Sequence, residues 1–276
     1  MTLSCARAVQ GAQSQGLERL DAQMLLLHAM GRAPHDRAWL LAHGEDSVPA
    51  AAQTLLDALV QRRLSGEPLA YLTGFKEFYG LTLAVDARVL DPRPDTETLV
   101  DWALDALRGQ PAARVVDLGT GSGAIALALK HFQPGWQVQA VDLSVEALAV
   151  ARSNAQRLKL DVQFAQASWL QGLNGRFDAI VSNPPYIVEG DSHLPALQHE
   201  PSLALTSGPD GLDAIRAIVA SAPAHLVPGG WLLLEHGYDQ AAPVRQLLES
   251  AGFKQVQSRC DLAGIERCSG GQIPAR

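Results

Sequence analysis

The stretch Asn183-Pro-Pro-Tyr186 contains the residue types needed to hold a flat polar group. Proline has no N–H, so the backbone at Pro184 and Pro185 offers only acceptors. The Asn183 side-chain oxygen and the Pro184 carbonyl together suit the two hydrogens of a planar NH2 group. The ring of Tyr186 would then lie against the flat group that carries this NH2. A proline-rich turn without a chemical role is the alternative that the tetrapeptide leaves open.

A short apolar run leads into this tetrapeptide. Ala179 to Val181 is rich in branched residues, which predicts a buried strand that ends at Ser182. Two consecutive prolines cannot continue a sheet ladder, and they stiffen the corner that follows. Because open α/β sheets bind ligands at the C-terminal ends of their strands, the corner is a predicted site.

A glycine-rich loop, Asp117-Leu-Gly-Thr-Gly-Ser-Gly123, lies between a predicted strand and a helix that begins at Ala124. The glycines permit a tight turn and close approach of a ligand, and the helix N-terminus presents free N–H groups. About twenty residues further on, Asp142 ends a second strand, where its carboxylate can accept hydrogen bonds from ribose hydroxyls. Gly119, Gly121 and Ala124 also satisfy the dinucleotide fingerprint, so the loop alone leaves an NAD enzyme open.

Strands and helices alternate after this loop, which predicts an α/β fold with a mostly parallel sheet covered on both faces. The further predicted elements are helices at 145–158, 212–226 and 240–250 and strands at 162–165, 177–181, 231–235 and near Val256 and Ile265. Trp169 follows the third strand, where its indole either packs on an adenine ring or belongs to the core.

The N-terminal part of the chain has the pattern of a small helical bundle. Apolar residues recur at three- and four-residue steps from Leu17 to Leu27 and from Ala52 to Arg63, with a shorter segment from Pro34 to Leu41. We predict a helical domain over residues 1–66, a linker with a β-hairpin over 67–90, and a larger domain over 91–276.

The loop Asp91-Pro-Arg-Pro-Asp-Thr-Glu97 is stiffened by both prolines. Asp95 or Thr96 is placed to cap the helix that continues through Leu107. The loop is either structural or a wall of an active site.

Composition, charge and cysteine spacing argue against a nucleic-acid-binding protein, a disulfide-linked secreted protein and a membrane protein. The chain has 276 residues, 47% hydrophobic and 18% charged, and a formal net charge of −7, so no global charge attracts nucleic acid. The three cysteines, Cys5, Cys260 and Cys268, show no C-x-x-C spacing, which is typical of a reducing compartment. Met1 to Gln10 lacks a signal-peptide core and no apolar run is long enough to span a bilayer, so we expect a cytoplasmic protein.

Two other candidate sites are weaker. His193 and His199 lie near Glu200 but lack the i, i+4 spacing of zinc ligands, so no metal site is predicted. Ser182 lacks the G-x-S-x-G setting of a serine hydrolase.

Taken together, the glycine loop, Asp142 and Asn183-Pro-Pro-Tyr186 resemble the motifs of a class I S-adenosylmethionine-dependent methyltransferase. The Asn-Pro-Pro-Tyr corner narrows the resemblance to N6-adenine methyltransferases and to N5-glutamine methyltransferases of release factors. Further stretches are similar to the second group, the HemK/PrmC family, and the likeness covers nearly the whole chain. These stretches are 68–74, 77–80, 93–97, 200–205, 210–212 and 261–267.

The resemblance implies a doubly wound, mostly parallel seven-stranded sheet and S-adenosylmethionine as the methyl donor, with S-adenosylhomocysteine as product. The implied acceptor is the Gln of the Gly-Gly-Gln motif in peptide chain release factors, which act in translation termination. The implied substrate-binding residues are Asn183, Pro184, Pro185 and Tyr186, of which Asn183, Pro184 and Tyr186 are catalytic. The implied cofactor-binding residues are Asp117, Gly119, Thr120, Gly121, Ser122, Gly123, Asp142, Trp169 and Asn183.

Alternatives from other classes fit the sequence less well. A nucleic-acid N6-adenine methyltransferase would need a basic reading domain, whereas residues 1–66 hold no Lys. We therefore expect residues 1–66 to dock the protein substrate, with no direct contact to nucleic acid or membrane. An NAD-binding protein has no use for Asn183-Pro-Pro-Tyr186.

The C-terminal Gly270-Gly271-Gln272 repeats the tripeptide that the family methylates, and we interpret it as chance rather than as a self-methylation site. Because the family often ends in a strand after the 265–267 region, Ser269 to Arg276 is a departure that we expect to be disordered.

Overall fold

The computed structural model describes residues 3–34 and 36–275. The chain divides into two compact units, Met1–Phe75 and Lys76–Arg276. No helix in the described ranges combines the length and the apolar character needed to cross a membrane.

The N-terminal unit is built from short helices around an apolar cluster in which Leu25, Leu26 and Leu27 are fully buried. Its helices are α1 (Cys5–Ser14), α2 (Arg19–Ala29), α3 (Arg37–Ala42), α4 (Ala50–Leu64) and α5 (Leu69–Thr73). The helices predicted from the leucine pattern are present as α2, α3 and α4. Helix α5 lies inside the stretch 67–90 that was assigned to the linker, and it was not predicted. Its five residues are too few to show a helical period.

A β-hairpin follows these helices, as predicted. Its strands are β1 (Phe75–Phe78) and β2 (Leu81–Ala84). Tyr79 and Gly80 join them with φ values of 50° and 76°, the left-handed pair that a tight two-residue hairpin turn requires.

The second unit contains the predicted seven-stranded, mostly parallel sheet, in the order β5-β4-β3-β6-β7-β9-β8. Strands β3 to β7 are parallel to one another, and β9 is antiparallel to both of its neighbours. The strands are β3 (Arg114–Leu118), β4 (Gln137–Asp142), β5 (Gln163–Gln166), β6 (Phe177–Ser182), β7 (Leu226–Glu235), β8 (Lys254–Cys260) and β9 (Glu266–Gln272).

Helices cover this sheet, as the near-continuous apolar strands require. Val116 and Ile180 face one side and Val115 and Val181 the other, and all four are fully buried. The helices are α6 (Glu97–Ala106), α7 (Ala124–Phe132), α8 (Val145–Leu158), α9 (Asp213–His225) and α10 (Ala241–Ser250).

The strand order reverses between β3 and β6, since β4 and β5 lie to one side of this pair and β7 lies to the other. Ligands of open α/β sheets bind at such a switch point, beyond the C-terminal ends of the strands. The glycine loop follows β3 and the Asn183 corner follows β6, so both predicted motifs meet there.

The prediction of a disordered C-terminus is wrong for Ser269 to Gln272, which belong to β9. Gly270 and Gly271 fit there because they lack a side chain: a Cβ on Gly270 would lie 2.6 Å from Leu233 Cδ2. The Gln272 amide donates a hydrogen bond to the carbonyl of Gly229 at 2.6 Å. The tripeptide thus has a packing role in the sheet.

One glycine in the second unit is required for close packing against the Asn183 corner. Gly211 has φ +74°, and a Cβ there would lie 2.2 Å from the Tyr186 carbonyl oxygen and 2.7 Å from Gln240 Nε2. Gln240 Nε2 donates to that same carbonyl at 3.0 Å. Gly211 therefore lets the loop before α9 lie directly against the corner.

We predict that Gly211→Ala lowers the free energy of unfolding well beyond the effect of Gly252→Ala. Both positions are left-handed, but at Gly252, with φ +89°, no atom lies within 4 Å of the place that a Cβ would take. The control should lose about 1–2 kcal/mol from backbone strain, and Gly211→Ala about 1–3 kcal/mol more from overpacking. Urea unfolding measures both, and equal losses would contradict the close packing.

Candidate active site

The corner after β6 is fixed by hydrogen bonds on both sides. The buried Ser182 hydroxyl donates to the Leu118 carbonyl at 2.6 Å, which ties the end of β6 to the end of β3. Beyond the prolines, the Ile187 N–H donates to the Leu205 carbonyl at 2.9 Å. The tetrapeptide is therefore held at both of its ends.

The half-buried Asn183 side chain has a defined orientation. Its Nδ2 donates a hydrogen bond to Thr96 Oγ1 at 3.2 Å. Among the residues described, no hydrogen bond reaches Asn183 Oδ1 or the Pro184 carbonyl oxygen. Neither of the two predicted acceptors is therefore used by a hydrogen bond within the described part of the chain.

Tyr186 contacts a buried acid that sequence reasoning missed. Its hydroxyl donates to Glu235 Oε1 at 3.3 Å. Glu235 is 0% exposed, and burial raises its pKa to about 7 against the opposing effect of a hydrogen bond from Thr96. Burial and the nearby Glu235 charge also raise the pKa of Tyr186 above its ordinary value. The phenol therefore stays neutral at physiological pH.

The loop before α6 contributes to the site, and the prediction that Asp95 or Thr96 caps this helix is wrong. Thr96 stands at the N-cap position but makes no side-chain cap hydrogen bond, and its Oγ1 instead accepts a hydrogen bond from Asn183 Nδ2. Asp95 Oδ2 forms an ion pair with Arg267 at 3.3 Å.

Two signals in the sequence pointed to the residues that were missed. Thr96 belongs to the stretch 93–97, which carries part of the family resemblance. Glu235 ends the apolar run of β7, and β7 is the neighbour of β6 in the sheet. An acid at the end of a buried strand beside the site strand is a candidate site residue.

The glycine loop after β3 is supported from beneath by buried polar side chains. Asp117 is fully buried, and Thr120 Oγ1 donates to Asp117 Oδ2 at 2.6 Å. Burial raises the pKa of Asp117 to about 7. The Ser122 carbonyl accepts a hydrogen bond from Asn154 Nδ2 at 3.0 Å. These contacts hold the loop in its left-handed turns at the glycines.

Asp142 links the loop to the end of β4. Its Oδ2 accepts from the Gly121 N–H and its Oδ1 from the Ser144 N–H, both at 2.9 Å. Each carboxylate oxygen has two lone pairs, so one on each remains for a ligand. The acid therefore shapes the loop as well as offering acceptors.

A cavity of about 670 Å³ opens at these strand ends, a size that suits a nucleoside-sized ligand. Trp169 both lines it and packs against the core, so its two predicted roles are compatible. The cavity is lined by the predicted site residues Gly119, Gly121, Asp142, Trp169, Asn183 and Pro185. The other predicted residues, Asp117, Thr120, Ser122, Gly123, Pro184 and Tyr186, lie outside this lining.

The cavity has the features that S-adenosylmethionine requires. At Gly121, with φ +55°, no atom lies within 4 Å of a Cβ position, so a ligand can approach the backbone closely. The Asp142 carboxylate suits ribose hydroxyls, and Leu143, Ala147 and Leu203 supply apolar walls. The residues present therefore fit the cofactor implied by the sequence resemblance.

Comparisons with known proteins cover both units. Residues 96–200 match the methyltransferase small domain, and residues 4–74 match the PrmC N-terminal domain. The release factor glutamine methyltransferase of Bordetella pertussis is 52% identical over 94% of this chain and 96% of its own. The enzyme of the same name from Burkholderia pseudomallei is 49% identical over 98% of both chains.

Solved structures support the fold. A methyltransferase from Pyrococcus furiosus superposes with a TM-score of 0.56 at 22% identity, covering 78% of this chain and 98% of its own. The Thermus thermophilus 16S rRNA N2 G1207 methyltransferase, in complex with AdoMet and guanosine, has a TM-score of 0.53 at 23% identity. The match covers 73% of this chain and 50% of that structure's chain.

Proposed function

The chain belongs to the family of release factor glutamine methyltransferases, and we propose that it methylates the Gln of the Gly-Gly-Gln motif in peptide chain release factors. The proposed acceptor atom is the side-chain amide nitrogen, N5. The observation that carries the proposal is that no hydrogen bond among the described residues uses either predicted acceptor at the corner, Asn183 Oδ1 or the Pro184 carbonyl. S-adenosylmethionine is the proposed donor and supplies, when bound, a methyl group already activated on a sulfonium.

The task left to the chain is to prepare a weak nucleophile. An amide nitrogen reacts poorly because its lone pair is delocalised into the carbonyl. Two acceptors that hold its hydrogens orient that lone pair and support partial pyramidalisation, with Tyr186 against the flat amide. Positioning of this kind lowers a barrier by roughly 7–11 kcal/mol in favourable cases. No strong general base is needed, since the amide loses its proton after transfer.

The residues proposed to hold the cofactor act in two ways. Gly119, Gly121, Asp142, Trp169 and Asn183 line the cavity and would contact it directly. The buried residues beneath and beside them would hold the loop in its binding shape. These supporting residues are Asp117, Thr120, Ser122 and Gly123.

The alternative of a nucleic-acid N6-adenine methyltransferase is not favoured. Relatives at about half identity over nearly the whole chain are named for release factor glutamine. The cytoplasmic location inferred from the sequence stays a prediction.

We expect Asn183→Ala to abolish methyl transfer while S-adenosylmethionine binding weakens only modestly. The side chain is proposed to grip the amide most strongly in the transition state, so its loss should lower kcat. Labelled methyl transfer to a release factor measures the rate, with the same factor carrying Ala in place of the loop Gln as control. A rate above about a tenth of wild type, roughly 1.4 kcal/mol, would reject the role.

Asp142→Ala should weaken S-adenosylmethionine binding about ten- to hundredfold, because charged hydrogen bonds contribute roughly 1.5–3 kcal/mol. The matched control is Glu146→Ala, which removes an exposed carboxylate from the rim of the same cavity. Isothermal titration measures both. An unchanged dissociation constant for Asp142→Ala, or equal losses in the two variants, would place the ribose elsewhere.

We further propose that the N-terminal helical unit docks the release factor. A single glutamine side chain offers little surface, whereas a specific protein contact usually buries upwards of about 1,000 Å². The helices have an apolar core of their own, which makes them a separate unit that can carry such a role.

Removing residues 1–74 should therefore lower kcat/KM for a folded release factor by orders of magnitude and leave cofactor binding nearly intact. A short Gly-Gly-Gln peptide, which lacks the docking surface, should lose much less. Circular dichroism checks that the shortened protein is folded. Equal losses on peptide and folded factor would contradict a docking role.

A further inference from the structure

We propose that Glu235 is a positioning residue that decides, through Thr96, which atom of the Asn183 carboxamide faces the substrate amide. The inference rests on the proposed function and deepens it. It assigns a role to a buried acid that the acceptor pair alone does not explain.

Glu235 lies beside the corner because of the strand register. Ser182 of β6 pairs with Leu234 of β7, so Asn183 and Glu235 follow at the same level on adjacent parallel strands. The Glu235 carboxyl receives the Tyr186 hydroxyl on Oε1 at 3.3 Å, and the Thr96 side chain lies close enough to act on the carboxyl as a donor that lowers its pKa. Its Oε2 has no hydrogen-bond partner within the described part of the chain. Burying an incompletely bonded carboxyl is costly, which points to a function.

The direction of the hydrogen-bond chain follows from the number of protons available. An ionised carboxylate has none and only accepts. Thr96 has one hydroxyl hydrogen, and once it is given to Glu235 the oxygen is left to accept. Asn183 must then turn its NH2 towards Thr96, as observed at 3.2 Å, and point Oδ1 away. The two ends of a carboxamide have nearly the same shape, so packing alone does not select between them.

Hydrogen bonds running in the reverse direction, from Glu235 to Asn183, would prevent the corner from holding the substrate amide. If Glu235 carried a proton, it could donate to Thr96, and Thr96 could donate to Asn183 Oδ1. Asn183 would then present its NH2 to the NH2 of the substrate glutamine, with donors facing donors. Only the ionised Glu235 carboxylate forces Asn183 to present its Oδ1, an acceptor, to the substrate amide.

The ionisation of Glu235 falls in an accessible pH range. Burial raises its pKa to about 7, Arg267 opposes the shift, and Asp95 adds to it. The adjacent His236 has a pKa lowered by burial, and the Cys268 thiol has a raised pKa, so both stay neutral near pH 7. Tyr186 also stays neutral, its pKa being raised. Activity should therefore rise with pH as Glu235 loses its proton near pH 7.

The test compares kcat, KM and their pH profiles for wild type, Glu235→Gln, Thr96→Val and Thr96→Ser. Wild-type kcat should increase about tenfold from pH 6 to a plateau above pH 8. Glu235→Gln should lose this rise and run about tenfold below the plateau, because an amide permits both chain directions. Thr96→Val should lose at least about tenfold in kcat. Thr96→Ser, which restores the hydroxyl, should recover most of that loss.

The control substitution is Glu266→Gln, which removes a charge that pairs with Arg245 at 2.7 Å and is expected to keep both kcat and the pH rise. Asp117 has a pKa near the same value and could cause a similar rise, but that rise would persist in Glu235→Gln and overturn the proposal. Wild-type kcat in Glu235→Gln, or equal losses in Thr96→Val and Thr96→Ser, would also overturn it. A wild-type protein that fails to methylate glutamine would instead refute the proposed function.

Discussion

The parallel pairing of β3 with β6 is the constraint on which the site depends. Because the strand order reverses at this pair, the ends of β3 and β6 open onto one crevice. The Ser182 hydroxyl, bonded to the Leu118 carbonyl, holds the two ends together. The glycine loop, which ends at Gly123, and the corner at Asn183 are far apart in the chain and become neighbours for this reason.

The second constraint is the supply of hydrogens at the corner. Pro184 and Pro185 remove two N–H groups, which leaves a stretch of backbone that can only accept. The Asn183 side chain could face the crevice with either end, and its contact with Thr96 selects the oxygen. A buried acid on the adjacent strand, Glu235, gives that selection a physical cause. A surface that offers only acceptors to an amide thus depends on the missing N–H groups of the prolines and on hydrogen bonds between side chains.

Much of this arrangement was predictable from the sequence, because the patterns are local. The sequence predicted a helix over residues 145–158, which is α8, and a buried strand that ends at Ser182 before the proline corner, which is β6. The start of β7 was missed, since Pro228-Gly229-Gly230 reads as a break although the structure pairs this segment in the sheet. The contacts of Thr96 and Glu235 were not predictable, because they join three segments that only the sheet register brings together. The local sequence predicted that Thr96 caps α6, whereas in the structure its side chain contacts Asn183 instead.

A crystal structure with S-adenosylhomocysteine and a Gly-Gly-Gln peptide tests the acceptor pair most directly. The measured quantities are the distances from the glutamine amide nitrogen to Asn183 Oδ1 and to the Pro184 carbonyl oxygen. Both distances should fall within about 2.7–3.2 Å, the range of N–H···O hydrogen bonds. A glutamine nitrogen held by other groups, with either acceptor beyond hydrogen-bond reach, would contradict the role of the corner.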